Sequence, residues 1–202
     1  MLSAEFIDWW FAPWRGNASS IAVQTAPIGM TDDLLAQRDG YRNWCEQAAI
    51  TSELPPQFDP QWCDSALIEP NLLQRAAELF MGLIAARQPL QTHRTTLNRL
   101  RLEDRKWCLS LAATQLLPAY CVDHPDADDS LIVRGLAEVA LRMNAGFPGL
   151  WPRLQMRLPT TQQAAVDLRT HNSWADSATI QRAAIRSQRC WRLCARRSEV
   201  NG

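Results

Sequence analysis

An all-α protein is what this 202-residue sequence predicts, and three observations predict it. Apolar residues recur at three- and four-residue steps along nearly the whole chain, the spacing of one helix face. No stretch alternates apolar and polar residues with the β-branched enrichment of a half-buried strand. The prolines gather at 55, 56, 60 and 70 and again at 148, 152 and 159, leaving long intervals in which helices run unbroken. These features predict a single compact domain of about six to eight helices over residues 31–202. An irregular, Trp-rich segment over 1–30 packs on it or extends from it.

That first segment, EFIDWWFAPWRGNASS, concentrates Phe6, Trp9, Trp10, Phe11 and Trp14 where chains usually fray. Phe6, Trp9 and Trp10 share one helical face, which Pro13 ends. Two readings stand side by side. The aromatics fold back as a hook that closes the chain's own core, or Trp9, Trp10 and Trp14 anchor a partner, since Trp dominates interface hot spots.

Thr31 caps a helix to about Ile50, with Asp32 and Asp33 in its first turn and Leu34, Tyr41, Trp44, Cys45 and Ala48 inward. A proline-marked loop over 52–70 follows. Pro70-Asn71 opens the clearest helix, with Leu72, Ala76, Leu79, Phe80, Leu83 and Ile84 on one stripe. Beyond Pro89, a polar helical segment leads into EDRKWCLSLAATQLL, which stops before Pro118. Ser130 caps LIVRGLAEVALRMN, with Ile132, Leu136, Val139 and Met143 inward and Gly146 as the stop signal. FPGLWPRLQMRLP reads as irregular or as a broken helix turn, and Thr160 or Thr161 caps a short helix to about Leu168. A basic amphipathic helix over about 177–197 closes the chain.

The net charge is zero, but it is divided unevenly. Residues 1–70 carry ten acids against three arginines, and residues 71–202 carry eighteen bases against eleven acids. Such asymmetry speaks of partner surfaces rather than fold. Zero overall charge and the lack of a known binding motif argue against nucleic acid. The N-terminus has no basic stretch followed by an apolar run, and no segment is long and apolar enough for a membrane span, so a soluble cytoplasmic protein is expected. Six scattered cysteines contain no C-x-x-C and no finger-like spacing with histidine; three directly follow Trp44, Trp62 and Trp107 and read as small core residues.

Asp123, His124, Asp126, Asp128 and Asp129 form a carboxylate cluster with the donor types of a metal loop, but without the glycine and distal glutamate of an EF-hand. Acids just ahead of Ser130 favour the helix N-terminus without any metal. His93, His124 and His171 lie in no recognised motif, and neither a phosphate-binding loop nor a nucleophile elbow occurs. No catalytic residue, cofactor or metal is therefore assigned. The last helix is more informative: Arg182, Arg186, Arg189, Arg192, Arg196 and Arg197 cover one side, and Ile180, Ala183, Ala184, Trp191 and Cys194 the other. It is a solvated face over a core stripe, or a docking face for an acidic protein surface.

Three passages carry a family resemblance: the F-x-P of Phe11-Ala12-Pro13, the R-x-W-C-L of Arg105 to Leu109, and FPGLWPRLQMRLP. In these the chain resembles the SctK family (YscK-, OrgA- and HrpD-like proteins), small cytoplasmic adaptors of bacterial type III secretion sorting platforms. Trp14-Arg15-Gly16 stands where that family has Tyr-Ile-His. The resemblance implies a non-enzymatic, cofactor-free virulence-associated adaptor that links the inner-membrane ring's cytoplasmic domains to the pod protein. The competing expectations are a secretion chaperone or secreted effector, and a small enzyme with a cryptic Cys/His/Asp site.

Overall fold

The computed structural model describes residues 2–12, 34–88, 95–122 and 130–200. Helix α1 spans Ala4–Phe11, α2 Leu34–Gln47, a 3₁₀ helix Pro60–Leu67, α3 Pro70–Ala85, α4 Leu102–Ala112, and α5 Leu131–Gly146. Then come α6 Leu150–Gln155, α7 Thr160–His171, α8 Ser177–Arg182 and α9 Ala184–Val200. The all-α expectation holds: no strand forms among the described residues, only an isolated bridge between Cys121 and Ser173.

The centre is the crossing of α3 and α5, with α4 and α9 laid on α3 and α7 on α5. Helix α3 is apolar nearly all round (Leu73, Ala76, Ala77, Leu79, Phe80, Leu83, Ile84), as a helix must be when neighbours cover every side. Leu73 and Val133, rather than Leu72 and Ile132, are the fully buried members of their pairs. Gly135 sets the crossing distance: a Cβ there would lie 1.9 Å from the Ala77 carbonyl oxygen, so only glycine lets the backbones meet.

The N-terminal segment is more regular than expected. Ser3 Oγ accepts from the Phe6 N–H at 3.2 Å and starts α1, whose Phe6, Trp9 and Trp10 turn inward. Trp10 is fully buried and stacks on Phe147 at 5.3 Å; Phe147 in turn stacks on Phe58 at 4.4 Å. The hook reading is the one these contacts describe for Trp9 and Trp10, which are committed to the chain's own core. Trp14 lies outside the described residues, as do Thr31, Asp32 and Asp33.

Elsewhere the boundaries shift for local reasons. The proline-marked loop contains the 3₁₀ helix, started by Asp59, whose Oδ1 accepts from the Gln61 N–H at 3.0 Å. Pro159, not a threonine, occupies the N-cap of α7, and Thr160 is its first residue, so the expected threonine cap is corrected. The expected single C-terminal helix is broken at Ala183 (φ −105°, ψ 9°). On the α8 side, the Gln181 amide donates to the Ala145 carbonyl at the end of α5. On the α9 side, Trp191 and Cys194 are buried against α3, so two anchors pull one helical sequence along two directions.

Candidate functional site

The last two helices present the strongest candidate surface. The inner stripe of α9 (Ser187, Gln188, Cys190, Trp191, Cys194 and Ser198) is buried. Trp191 meets Phe80 edge-on at 5.9 Å, and its indole N–H donates to Ser65 Oγ of the 3₁₀ helix at 2.8 Å. With that stripe fixed, the 3.6-residue period turns Arg186, Arg189, Arg192 and Arg196 to solvent, and Arg182 at the end of α8 is exposed as well.

These arginines do not all stand alike. Arg186 donates to the Leu116 carbonyl at 3.0 Å, and Arg192 to Gln61 Oε1 at 2.9 Å. Arg197 turns back: its Nε lies 3.4 Å from Asp104 Oδ1 and its guanidinium 5.9 Å from the Trp107 ring. Asp104, itself buried, also pairs with Arg75. Arg197 is therefore part of the α3–α4–α9 joint rather than of the open face. Among the described residues no carboxylate pairs with Arg186, Arg189 or Arg196.

Large apolar side chains are exposed as well: Ile185 of α9 is 81 % exposed, Leu116, whose carbonyl Arg186 holds, 52 %, and Trp174, three residues ahead of α8, 60 %. Trp174 is held rather than loose, since its indole N–H donates to the Ala119 carbonyl at 3.1 Å and its ring meets Tyr120 edge-on. Periodicity marks only one of the three: at 100° per residue Ile185 falls on the arginine side of the helix, away from the Trp191–Cys194 stripe, whereas Leu116 and Trp174 lie between helices, where periodicity carries no information. For these two the one available signal was a tryptophan in the polar run HNSWADS, an unusual place to leave so large an apolar group.

Two buried arginines serve the framework. Arg153 is fully buried; it donates to the Tyr41 hydroxyl at 2.7 Å, to the Thr51 carbonyl at 2.6 Å and to the Gly149 carbonyl at 3.0 Å. Its Nε faces the Trp10 carbonyl at 3.4 Å, and its guanidinium lies 3.8 Å from the Trp10 ring. Carbonyl dipoles and an aromatic face thus surround a cation that no carboxylate pairs with among the described residues. The indole N–H groups of Trp9 and Trp10 find no acceptor there, so apolar contact and Arg153 hold α1 in place. Arg142 is held differently, by an ion pair with buried Glu138, and also donates to the Pro118 carbonyl. Glu138 Oε1 accepts from the Tyr120 and Cys121 N–H groups at 2.7 and 2.8 Å, which pins the segment before residue 123.

The cysteines belong to the core. Burial pushes the Cys63 and Cys190 thiols up to about 11 and the Cys108 thiol up to about 12, and raises those of Cys45, Cys121 and Cys194. Protonated thiols are poor nucleophiles. His171 is exposed, with Nδ1 2.7 Å from the Asp167 carbonyl oxygen. His93, His124 and the acidic cluster at 123–129 lie outside the described residues. Among the described residues no three His, Cys, Asp or Glu side chains converge as a metal site, and no helix is long and apolar enough to cross a membrane.

An open groove of about 440 Å³ lies between Gln57–Pro60, the end of α5 and the start of α9. Its main polar groups bond each other: Gln188 Nε2 donates to Asp59 Oδ2 at 2.6 Å, and the Asp59 N–H donates to the Gly146 carbonyl at 2.8 Å. The groove is a seam of the fold more than a receptor for a ligand.

No protein-family model matches the chain, and no curated protein or solved structure matches it either.

Proposed function

We propose that this chain is a non-enzymatic helical adaptor that docks an acidic protein surface on its α8–α9 face. One observation supports this above the others. Arg186, Arg189 and Arg196 stand exposed without a carboxylate partner among the described residues, with exposed Ile185 on the same helix and exposed Leu116 held at its carbonyl by Arg186. Arginine and aromatic side chains around an apolar centre are the usual content of interface hot spots. Arginine also pairs carboxylates through two parallel hydrogen bonds, which gives direction as well as energy.

The finer reading comes from the resemblance of Phe11-Ala12-Pro13, Arg105–Leu109 and FPGLWPRLQMRLP to the SctK family. In that reading the adaptor sits on the cytoplasmic side of a type III secretion apparatus and bridges the inner-membrane ring to the pod protein. Arg182, Arg186, Arg189 and Arg196 serve one of the two contacts.

The test is affinity purification from the native bacterium, wild type beside Arg186→Glu/Arg189→Glu/Arg196→Glu, with matched thermal melts. Ring or pod proteins retained by the wild type and lost by the variant, at an unchanged melting temperature, would bear out both levels. Partners unrelated to secretion, but equally lost by the variant, would keep the docking face and remove the family reading. Partners retained by the variant would remove the docking face.

A further inference from the structure

Helix α1 has an outer side as well as a buried one. Glu5 and Asp8 stand exposed one turn apart, and Ile7 and Phe11, also one turn apart, are 40 % and 43 % exposed. No ion pair reaches Glu5 or Asp8 among the described residues, so the arginines of the same molecule's α8–α9 do not use them. Both helices lean on the 3₁₀ helix Pro60–Leu67: α1 packs against it, and α9 reaches it through Trp191–Ser65 and Arg192–Gln61. One molecule thus displays an acidic–apolar face and a basic–apolar face that do not satisfy each other.

We propose that the outer face of α1 docks on the α8–α9 face of a second copy of this chain, head to tail. The inference rests on the reading of α8–α9 as a docking face and names one of its occupants. Glu5 and Asp8 supply carboxylates for Arg182 and Arg189, and Ile7 and Phe11 supply the apolar cover for Ile185 and Leu116. The chain's charge division acts in the same direction, since residues 1–70 carry the acidic excess and residues 71–202 the basic excess. That division orients an approaching copy acidic end to basic face. The two faces are different surfaces, so each added copy leaves one of each unfilled and association continues past the dimer. An acidic partner protein competes with the second copy for α8–α9.

Sedimentation velocity on the full chain, from roughly 10 to 200 μM at low salt, reads this directly. The expected result is a weight-average mass that rises more than twofold with concentration. It falls toward the monomer value near 0.5 M salt, where screening acts within roughly 4–5 Å. Glu5→Lys/Asp8→Lys and Arg182→Glu/Arg189→Glu should each be monomeric alone, because each gives both faces the same sign. An equimolar mixture should associate again, since each variant then meets a face of opposite charge; a misfolded variant would not be restored this way. The neutral pair Glu5→Gln/Asp8→Asn should weaken association without abolishing the apolar contact. A wild type that stays monomeric throughout overturns the proposal. So does association that survives either reversal, or a mixture that does not recover. If the wild type is monomeric but Arg186→Glu/Arg189→Glu/Arg196→Glu still loses its bacterial partners, the self-contact fails and the docking face stands.

Discussion

The first and last helices are both amphipathic and both built from residues common at interfaces, yet the fold uses them in opposite ways. In α1 the aromatic side is inside: Phe6 and Trp10 are fully buried, and Arg153 lies against the Trp10 ring. In α9 the arginine side is outside, and the aromatic Trp191 is the part that anchors. Tryptophan and arginine content therefore says little about whether a segment is core or contact. What decides is whether the rest of the chain supplies a surface to cover it: Phe147 and the 3₁₀ helix cover the aromatic side of α1, whereas the 3₁₀ helix meets α9 on its Trp191 side and leaves the outer arginines exposed.

Arg153 is where this contrast is most vulnerable. Arg153→Met keeps volume but leaves the Tyr41 hydroxyl and the Thr51 and Gly149 carbonyls without their donor. The Tyr41 hydroxyl is buried and the two carbonyls partly so; at roughly 1–3 kcal/mol per lost partner, a loss of about 3–5 kcal/mol is expected in urea denaturation. Amide exchange should show α1 opening first. Glu138→Ala should cost a comparable, somewhat smaller amount, about 3–4 kcal/mol, because it strands buried Arg142 and frees the 120–121 amides. Its opening should start in the 118–122 segment instead.

Alkaline pH probes the core in a second way. Cys108 is raised from 9.0 to about 12, and Tyr41 from 10.0 to about 12, in both cases mainly by burial. A folded-state value above the unfolded one means the folded chain holds its proton longer. That stability is intact below the ordinary value and is lost as pH rises through it toward the folded one. The melting temperature should therefore be level to about pH 8 and fall steeply between 9 and 12, with Cys108→Ala giving a shallower fall. A tenfold change in proton affinity corresponds to about 1.4 kcal/mol, so the effect is of the order of a few kcal/mol.

Changes at the surface should cost far less. Arg189→Glu/Arg196→Glu should change stability by less than about 0.5 kcal/mol, as surface substitutions usually do, while abolishing partner retention. Ala49, at φ 54° just past α2, holds a left-handed conformation that glycine adopts without strain. Ala49→Gly should therefore stabilise the protein by about 0.5–1 kcal/mol in the same denaturation assay, with no effect on binding.

Much of the fold was legible because burial imposes periodicity. The stripes of α3 and α5, the Gly146 stop and the inward set Tyr41, Trp44 and Cys45 all follow from spacing. The break at Ala183 was not legible, since no proline or glycine marks it and its cause lies in two distant anchors, the Ala145 carbonyl and the α3 surface. The same holds for the candidate site. The arginines of α9 were readable on a helical wheel, but Leu116 reaches the face only through the Arg186 hydrogen bond, a pairing across seventy residues. Arg153 gave no sign of its role, because a buried arginine held by carbonyls has no partner residue type to look for.

A single experiment sets the two ends against each other. Trp9→Ala/Trp10→Ala and Arg186→Glu/Arg189→Glu/Arg196→Glu are compared for denaturation midpoint and for retention of partners from the native bacterium. If α1 is core and α8–α9 is contact, the tryptophan variant unfolds much earlier, whereas the arginine variant keeps the wild-type midpoint and loses its partners. A tryptophan variant that keeps its midpoint but loses partners, beside an arginine variant that keeps them, would reverse both assignments.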